Sequence, residues 1–373
     1  MNSHFIFWIK ASLICCVFFF SIQTKSQNII AYNDNRGYFN IFDNGTTTVA
    51  AYQPPQSFQI GGNCVAYVSF DNSLKVYYKG EISTLYDGIP TKYQVTHNLV
   101  VFNVGSVIKV FDRGQITTIS GYSTSYQVGD SLVAFIDQTT GSFKVYYNGG
   151  FHTMEDFHQT QMISEYQASN NTMAYLTYLR EFKIFWNGNG YNLFKLANNS
   201  SQIQYQTGSN IVSFTSNNIL GLSVFYKGNI YTVSTKQVIS FQTGDNMVAY
   251  TDAVGLHVFY AGKNYDLNGF APDFYQVADS MLIYYTPGYF SVFNKGKSSV
   301  LANFMPSEYA IDNNTLTYVD LQGGLNAFYN DDTYQLSTFD QLIGFKLTGN
   351  AVWYSTATVY NQVFLRGKKF GQD

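Results

Sequence analysis

The stretch YQVGDSLVAF, residues 126–135, recurs with small changes as YQTGSNIVSF (205–214) and FQTGDNMVAY (241–250). In each copy an aromatic residue comes first, and an apolar run ending in a second aromatic residue follows a short polar segment. Nine copies begin at spacings of 33 to 40 residues, with the leading aromatic residues Phe58, Tyr93, Tyr126, Tyr166, Tyr205, Phe241, Tyr275, Tyr309 and Phe345. A period of about 36 residues over nearly the whole chain is typical of a repeat architecture.

Each repeat contains several short strands. LKVYYKG (74–80) and LSVFYKG (222–228) alternate apolar and polar positions, which predicts strands with one buried face. A closing Lys-Gly or Asn-Gly pair favours a tight hairpin turn, because type I′ turns need positive φ angles. A glutamine follows the leading aromatic residue in seven of the nine copies, and we expect it to bond backbone between neighbouring repeats: Gln59, Gln94, Gln127, Gln167, Gln206, Gln242 and Gln276.

The repeats therefore predict an all-β chain of small antiparallel sheets. A lone four-stranded sheet cannot bury two aromatic faces, whereas sheets stacked radially in a β-propeller bury both. We expect YQVGDSLVAF to be the junction at which the outer strand of one blade leads into the inner strand of the next. Small residues such as Ala31, Ala66 and Ala134 precede the last aromatic residue of the expected inner strand, as crowding near an axis would require.

About ten blades of ~36 residues are predicted in one ring that occupies residues 27–373. The first repeat begins at IIAY (29–32) and lacks the aromatic-glutamine strand, which weakens the case for closure. Two five-bladed rings and an open ring are the alternatives.

The first 26 residues predict a signal peptide. Lys10 precedes the apolar run ASLICCVFFFSI (11–22), and Ser26 is a small residue at a suitable cleavage point. The run is too short to span a bilayer as a helix. Removal of this segment leaves Cys64 as the single cysteine, at a repeat position where other copies have apolar residues, so we expect a buried thiol. No later segment is apolar enough to cross a membrane.

The repeat units CVAY (64–67), FKVYYNG (143–149) and LHVFYAG (256–262) resemble the propeller repeats of exported bacterial proteins, in which such units replace the WD signature. The resemblance covers residues 28–373 and implies the architecture far more than a function, since propellers host many functions. Size, leading segment and Tyr/Phe-rich repeat are also similar to the propeller-like plug subunits of the type 9 secretion translocon. That resemblance implies a location in the periplasm or at the periplasmic face of the outer membrane.

Few residues suggest chemistry. The net charge of −3 does not indicate nucleic-acid binding, because proteins that bind nucleic acid usually have a basic surface. The one polar cluster comprises His152, Glu155, Asp156 and His158; the two histidines lie about 20 Å apart along a straight strand, so a metal site would need a bend. Scattered aspartates are expected to form turns: Asp130, Asp245, Asp279 and Asp312. We therefore expect no catalytic residue, no metal and no cofactor.

Some aromatic residues lie outside the positions that recur from repeat to repeat (the repeat columns). These are the candidates for interaction: Tyr178, Trp186, Tyr191, Tyr289, Trp353 and Tyr360. Exposed Tyr and Trp side chains anchor many protein interfaces. The sequence thus favours a non-enzymatic interaction subunit of the bacterial cell envelope. The resemblance to the translocon plug subunits implies a large outer-membrane protein as partner and an accessory or plug role. A glycan-binding, lectin-like propeller is the alternative, and a polysaccharide hydrolase or lyase ranks below both.

Overall fold

In the computed structural model, the chain is described over residues 28–123, 125–156, 163–197, 202–216, 219–338 and 342–371. The predicted signal peptide lies outside these residues. Over the described ranges the regular structure consists of strands, arranged as ten antiparallel sheets that form one ten-bladed propeller. No helix in this part of the chain is long and apolar enough to cross a membrane.

Blade 1 has three strands, β1 (Ile29–Asn33), β2 (Phe39–Asp43) and β3 (Thr46–Ala51). The other nine blades have four strands each, connected in chain order. Those of blades 2 to 4 are β4 (Ser57–Ile60), β5 (Cys64–Val68), β6 (Leu74–Tyr78), β7 (Glu81–Tyr86), β8 (Lys92–Val95), β9 (Leu99–Val104), β10 (Val107–Asp112), β11 (Gln115–Ser120), β12 (Tyr126–Val128), β13 (Leu132–Asp137), β14 (Ser142–Tyr147) and β15 (Gly150–Asp156).

Blades 5 to 7 comprise β16 (Ile163–Ser169), β17 (Thr172–Thr177), β18 (Glu181–Trp186), β19 (Asn189–Lys195), β20 (Ile203–Gly208), β21 (Ile211–Ser216), β22 (Ile219–Tyr226), β23 (Asn229–Ser234), β24 (Val238–Thr243), β25 (Met247–Asp252), β26 (Leu256–Tyr260) and β27 (Lys263–Asn268). Blades 8 to 10 comprise β28 (Phe274–Ala278), β29 (Met281–Thr286), β30 (Tyr289–Asn294), β31 (Lys297–Ala302), β32 (Tyr309–Asp312), β33 (Thr315–Val319), β34 (Leu325–Tyr329), β35 (Asp332–Gln335), β36 (Leu342–Thr348), β37 (Ala351–Thr356), β38 (Gln362–Leu365) and β39 (Lys368–Phe370).

The prediction that YQVGDSLVAF joins the outer strand of one blade to the inner strand of the next is wrong in two respects. Strand β12, which carries the aromatic-glutamine pair, belongs to the same blade as β13, and Tyr126 pairs with Phe135 across the hairpin. The aromatic-glutamine strand is also the innermost one, because the first strands of successive blades contact each other, as β12 does β16 and β16 does β20. The run ending in an aromatic residue is therefore the second strand, and its small residues are crowded by neighbouring blades rather than by the axis.

The recurrent glutamines bond neighbouring blades, as predicted. Gln206 Nε2 donates to Phe241 O at 3.1 Å, and its Oε1 accepts from Thr243 N at 3.0 Å. The side-chain amide thus imitates a peptide group and pairs with the inner strand of the next blade. The same pair of bonds recurs at Gln59, Gln127 and Gln242. We call this set of contacts around the axis the glutamine belt.

The ring closes by packing of blade 1 against blade 10. Blade 1 lacks the innermost strand within the described residues, and the cluster that spans the junction includes Tyr32 and Val363. In other blades the glutamine of the first strand pairs with a small residue of the second strand. In blade 10 Lys346 stands in place of the glutamine, and Trp353 stands in place of the small residue. The Trp353 ring stacks on Tyr32 with centroids 6.0 Å apart, and Lys346 Nζ lies 4.6 Å from the ring centroid of Phe58 in blade 2. The side chains of Lys346 and Trp353 thus fill the space that the innermost strand occupies in the other blades.

The core lies between adjacent blades. Apolar side chains of the second and third strands are almost completely buried, including Phe102, Phe143 and Phe182. Cys64 is buried at its predicted core position, and burial raises the pKa of its thiol to about 12.

Because each blade is an antiparallel meander, its turns fall on two opposite faces of the ring. The hairpin face carries the turns between first and second and between third and fourth strands. The connector face carries the turns between second and third strands and the links between blades. Lys79 (φ 53°) and Gly80 (φ 88°) show that the predicted Lys-Gly pairs do form turns with positive φ, and these lie on the hairpin face.

Candidate interaction face

Exposed apolar side chains are concentrated on the connector face. Of the large apolar residues that are exposed in the described ranges, none lies in a turn of the hairpin face. Twelve lie in turns, turn edges or links of the connector face: Tyr52, Phe70, Ile89, Tyr122, Tyr178, Leu179, Val254, Phe270, Tyr289, Leu321, Val359 and Tyr360. Single exposed apolar residues are ordinary, but their concentration on one face makes the connector face the candidate interaction surface.

Three of the predicted interaction residues belong to this face. Tyr178, Tyr289 and Tyr360 lie at second-to-third-strand turns of blades 5, 8 and 10, and their exposed fractions are 60%, 59% and 47%. These residues are spread around the ring rather than gathered in one pocket. Their arrangement suits a broad partner that contacts several blades.

The other three predicted residues are packing elements. Trp186 donates from Nε1 to Asn210 Oδ1 at 3.0 Å, which ties blade 5 to blade 6. Tyr191 packs edge-on against Phe225 with centroids 5.0 Å apart. Trp353 fills the junction of blades 10 and 1 through its stack on Tyr32. Their place outside the repeat columns reflects variation at blade seams, and the structure gives them no exposed surface comparable with that of Tyr289.

Aspartates hold several connector-face turns in fixed conformations. Asp252 Oδ1 accepts from the backbone amides of Val254 and Gly255 at 2.7 and 3.1 Å, and Asp320 is bonded in the same way in blade 9. Burial raises the pKa of Asp252, but these bonds and one from His257 outweigh that effect, so the pKa lies below its usual value. A turn that is fixed in this way presents Val254 without having to be ordered on binding.

The polar cluster of blade 4 does not assemble as a site in the described residues. Glu155 is buried, and it bonds Tyr175 at 2.9 Å and Lys183 at 2.7 Å across the seam with blade 5. The His152 ring packs against Phe185, and Asp156 is exposed. His158 lies outside the described residues.

His257 makes contacts that were not predicted from the sequence. Its Nδ1 lies 2.7 Å from Asp266 and its Nε2 lies 3.0 Å from Asp252, and the ring stacks on Tyr250. Asp252 lies 5 residues from His257 and Asp266 lies 9 residues from it, each across a hairpin. Only the strand register could have revealed these contacts. Within the described ranges, no three His, Cys, Asp or Glu side chains gather closely enough to hold a metal ion.

Several solved structures are similar to this chain. They include the computationally designed Ika8 protein (18% identity over 74% of this chain and 94% of that chain, TM-score 0.33) and the tricorn protease (12%, 93% and 45%, 0.30). The CRINKLY WD40 ectodomain of the Arabidopsis thaliana receptor kinase ACR4 also matches (11%, 76% and 98%, 0.36). This chain covers less than half of the tricorn protease chain. No curated protein sequence matches.

A family model provides the assignment. The model of the 10-bladed beta propeller domain matches residues 23–370, which is nearly the whole chain. Its blade number equals the number of sheets in the structure. The chain belongs to the 10-bladed beta propeller family.

Proposed function

We propose that this protein is a non-enzymatic interaction subunit of the bacterial cell envelope and that it binds a protein partner through its connector face. The observation that carries the proposal is the unequal distribution of exposed apolar side chains: in the described residues twelve lie in or beside turns and links of this face, and those near the opposite face lie in fourth strands rather than in its turns. Burial of such side chains in a partner contributes about 25 cal/mol for each Å² of apolar surface.

The shape of the face favours a large partner. Tyr178 and Tyr289 lie three blades apart on the ring, and Tyr360 lies two blades beyond Tyr289. A small ligand could not contact all three at once, whereas a protein with a rim or a mouth of matching width could. Together with the predicted export, this supports an outer-membrane protein as the partner and an accessory or plug role in a translocon.

The proposal is tested by affinity purification of the tagged protein from solubilised envelopes, with partners identified by mass spectrometry. The wild type should recover one outer-membrane protein in near-stoichiometric amount. The double variant Tyr178→Ser/Tyr289→Ser should lose it, because interface anchors of this kind contribute about 2 kcal/mol or more each, roughly a factor of thirty.

The matched control is Phe151→Ser. Phe151 is 51% exposed, but it lies in the outermost strand of blade 4 and not in a connector-face turn. Equal recovery by all three proteins would refute the connector face as the binding surface. Recovery of the tagged protein alone, with retention on a glycan array, would favour the lectin-like alternative.

A further inference from the structure

A cavity of about 610 Å³ lies between blades 1 and 2 at the hairpin face. Small-molecule sites usually measure roughly 300 to 1,000 Å³. Blade 1 contributes Asn28, Asp43 and the turn that follows β2, and blade 2 contributes the turns at Gly62 and Lys79. We call it the seam cavity. It lies on the face opposite the proposed partner surface, so a role for it goes beyond the proposed function.

The seam cavity exists because blade 1 lacks an aromatic ring that other blades insert between themselves and the next blade. The ring belongs to the residue that follows the recurrent aromatic residue of the third strand. At five seams it packs on the recurrent phenylalanine of the next blade: Tyr78 on Phe111, Tyr147 on Phe185, Trp186 on Phe225, Tyr226 on Phe259 and Tyr260 on Phe293. In blade 1, where β2 corresponds to this third strand, the residue is Asp43, and Tyr77 Oη of blade 2 donates to its Oδ2 at 3.2 Å. A carboxylate is much smaller than a ring, so space remains.

The seam between blades 3 and 4 shows how such space is filled elsewhere. Asp112 has the place of Asp43 there, and it accepts from Tyr146 Oη at 3.1 Å. The next residue, Arg113, crosses the seam and donates to Asn148 Oδ1 at 2.5 Å. In blade 1 the corresponding residue is Asn44, whose Nδ2 donates to Asp43 Oδ1 of the same blade at 2.7 Å. The pair of Asp43 and Asn44 therefore leaves this seam open.

Polar groups line the seam cavity. Thr46 and Thr48 are two residues apart in β3, so their side chains lie on the same face of the strand. Asn28 and Asn63 add side-chain amides, and hydroxyl and amide groups both donate and accept hydrogen bonds. Asn28 is 3% exposed, and its Oδ1 accepts no hydrogen bond from the described residues. Such a lining fits a ligand that carries several hydroxyl groups.

The charges of the lining residues favour a neutral ligand. Of those that the structure describes, only Asp43 and Lys79 are charged, and their charges are opposite. Lys79 Nζ lies 5.1 Å from the ring centroid of Tyr78, beside the cavity. The lining therefore has no net charge that would select an anion or a cation.

We propose that the seam cavity is a binding site for a neutral sugar. The sugar ring occupies space that an aromatic ring fills at other seams. Its hydroxyl groups donate to the Asp43 carboxylate and to Asn28 Oδ1, and they bond the hydroxyl groups of Thr46 and Thr48.

Ligand-observed NMR titration with single sugars tests the site. The panel comprises glucose, galactose, mannose and N-acetylglucosamine, each as the free sugar and as the end unit of a disaccharide, with glucuronate and glucosamine as charged counterparts. The wild type should bind at least one neutral sugar saturably. A preference for the free sugar would indicate a soluble ligand, and a preference for the disaccharide would indicate the end of a glycan; both support the site.

The decisive variant is Asp43→Tyr/Tyr77→Phe, which rebuilds the tyrosine–phenylalanine contact of the seam between blades 2 and 3. It should fold, as a thermal melt will show, and bind the sugar at least about tenfold more weakly, because a lost hydrogen bond to a charged group alone has about that effect. It should still recover the envelope partner, so sugar binding and the proposed function are tested separately.

If the double variant does not fold, Asn44→Arg should close the cavity in the way that Arg113 fills its own seam. The matched control is Asn330→Arg, since Asn330 is an exposed residue at the same turn position of blade 9 (φ 53°, against 50° for Asn44) and should leave sugar binding unchanged. Absence of binding of every neutral sugar to the wild type would overturn the proposal. So would equal binding by the wild type and a folded variant with the cavity filled, or tighter binding of glucuronate or glucosamine than of the neutral sugars.

Discussion

The glutamine belt predicts that Gln206→Ala weakens the seam between blades 6 and 7. The substitution removes two hydrogen bonds to the neighbouring backbone, to Phe241 O and from Thr243 N. Each such bond contributes about 1 kcal/mol net, and the backbone groups that lose their partner are only part-buried. We therefore expect the free energy of unfolding to fall by about 2 kcal/mol.

Urea denaturation followed by tyrosine and tryptophan fluorescence measures this loss. The matched control is Gln204→Ala, because Gln204 is an exposed glutamine two residues earlier in the same strand. We expect that substitution to change stability by no more than about 0.5 kcal/mol. Equal effects of the two substitutions would refute the role of the belt in joining the blades.

Three other contacts lead to predictions of their own. Trp353→Ala should remove the side chain that fills the junction of blades 10 and 1 and lower the free energy of unfolding by about 3 kcal/mol. Limited proteolysis should then cut the variant first at that junction. Resistance equal to that of the wild type would contradict the role of Trp353 in closing the ring. Glu155→Gln should leave the half-buried Lys183 with Glu181 as its remaining charged partner and destabilise the fold by about 1 to 3 kcal/mol in denaturant titration. An unchanged midpoint would show that the pair contributes nothing net. With residues 1–26 removed, the Cys64 thiol should not react with a disulfide reagent at pH 8 until the protein unfolds, because burial raises its pKa to about 12. Rapid labelling of the folded protein would contradict the burial of Cys64.

The blade number was predictable from the repeat spacing, and the structure explains why. Every blade needs an aromatic residue in its third strand to fill the seam, such as Phe225 in blade 6 or Phe293 in blade 8. That requirement leaves a regular signal in the sequence. The type I′ turns were predictable for the same reason, since they demand glycine at a fixed offset.

The position of the axis was not predictable from the strand pattern. A meander of four strands has two edges, and the pattern of apolar residues does not say which edge faces the axis. Contacts between the first strands of successive blades decide it, such as that of β12 with β16, and the bond from the Gln127 amide to the Tyr166 carbonyl at 2.8 Å is one of them. The sequence predicts the glutamine bond between blades, but it does not show that the strand carrying the glutamine is the innermost one.

Contacts that are found at a single seam between blades, and do not recur around the ring, could not be predicted either. Glu155 and Lys183 are 28 residues apart and lie in different columns of the repeat. Trp353 stood out because it replaces a small residue, yet its role depends on the strand that blade 1 lacks within the described residues. The exposed tyrosines Tyr178 and Tyr289 were predicted because they fall outside the columns that build the core.

Site-specific photo-crosslinking tests most directly whether the connector face binds the partner. A photoreactive phenylalanine analogue at position 289 should crosslink the envelope protein that co-purifies with the wild type, and the analogue at position 178 should crosslink the same protein. The analogue at position 79, in a hairpin-face turn, should yield no such product. Crosslinking from position 79 together with none from positions 178 and 289 would contradict binding through the connector face.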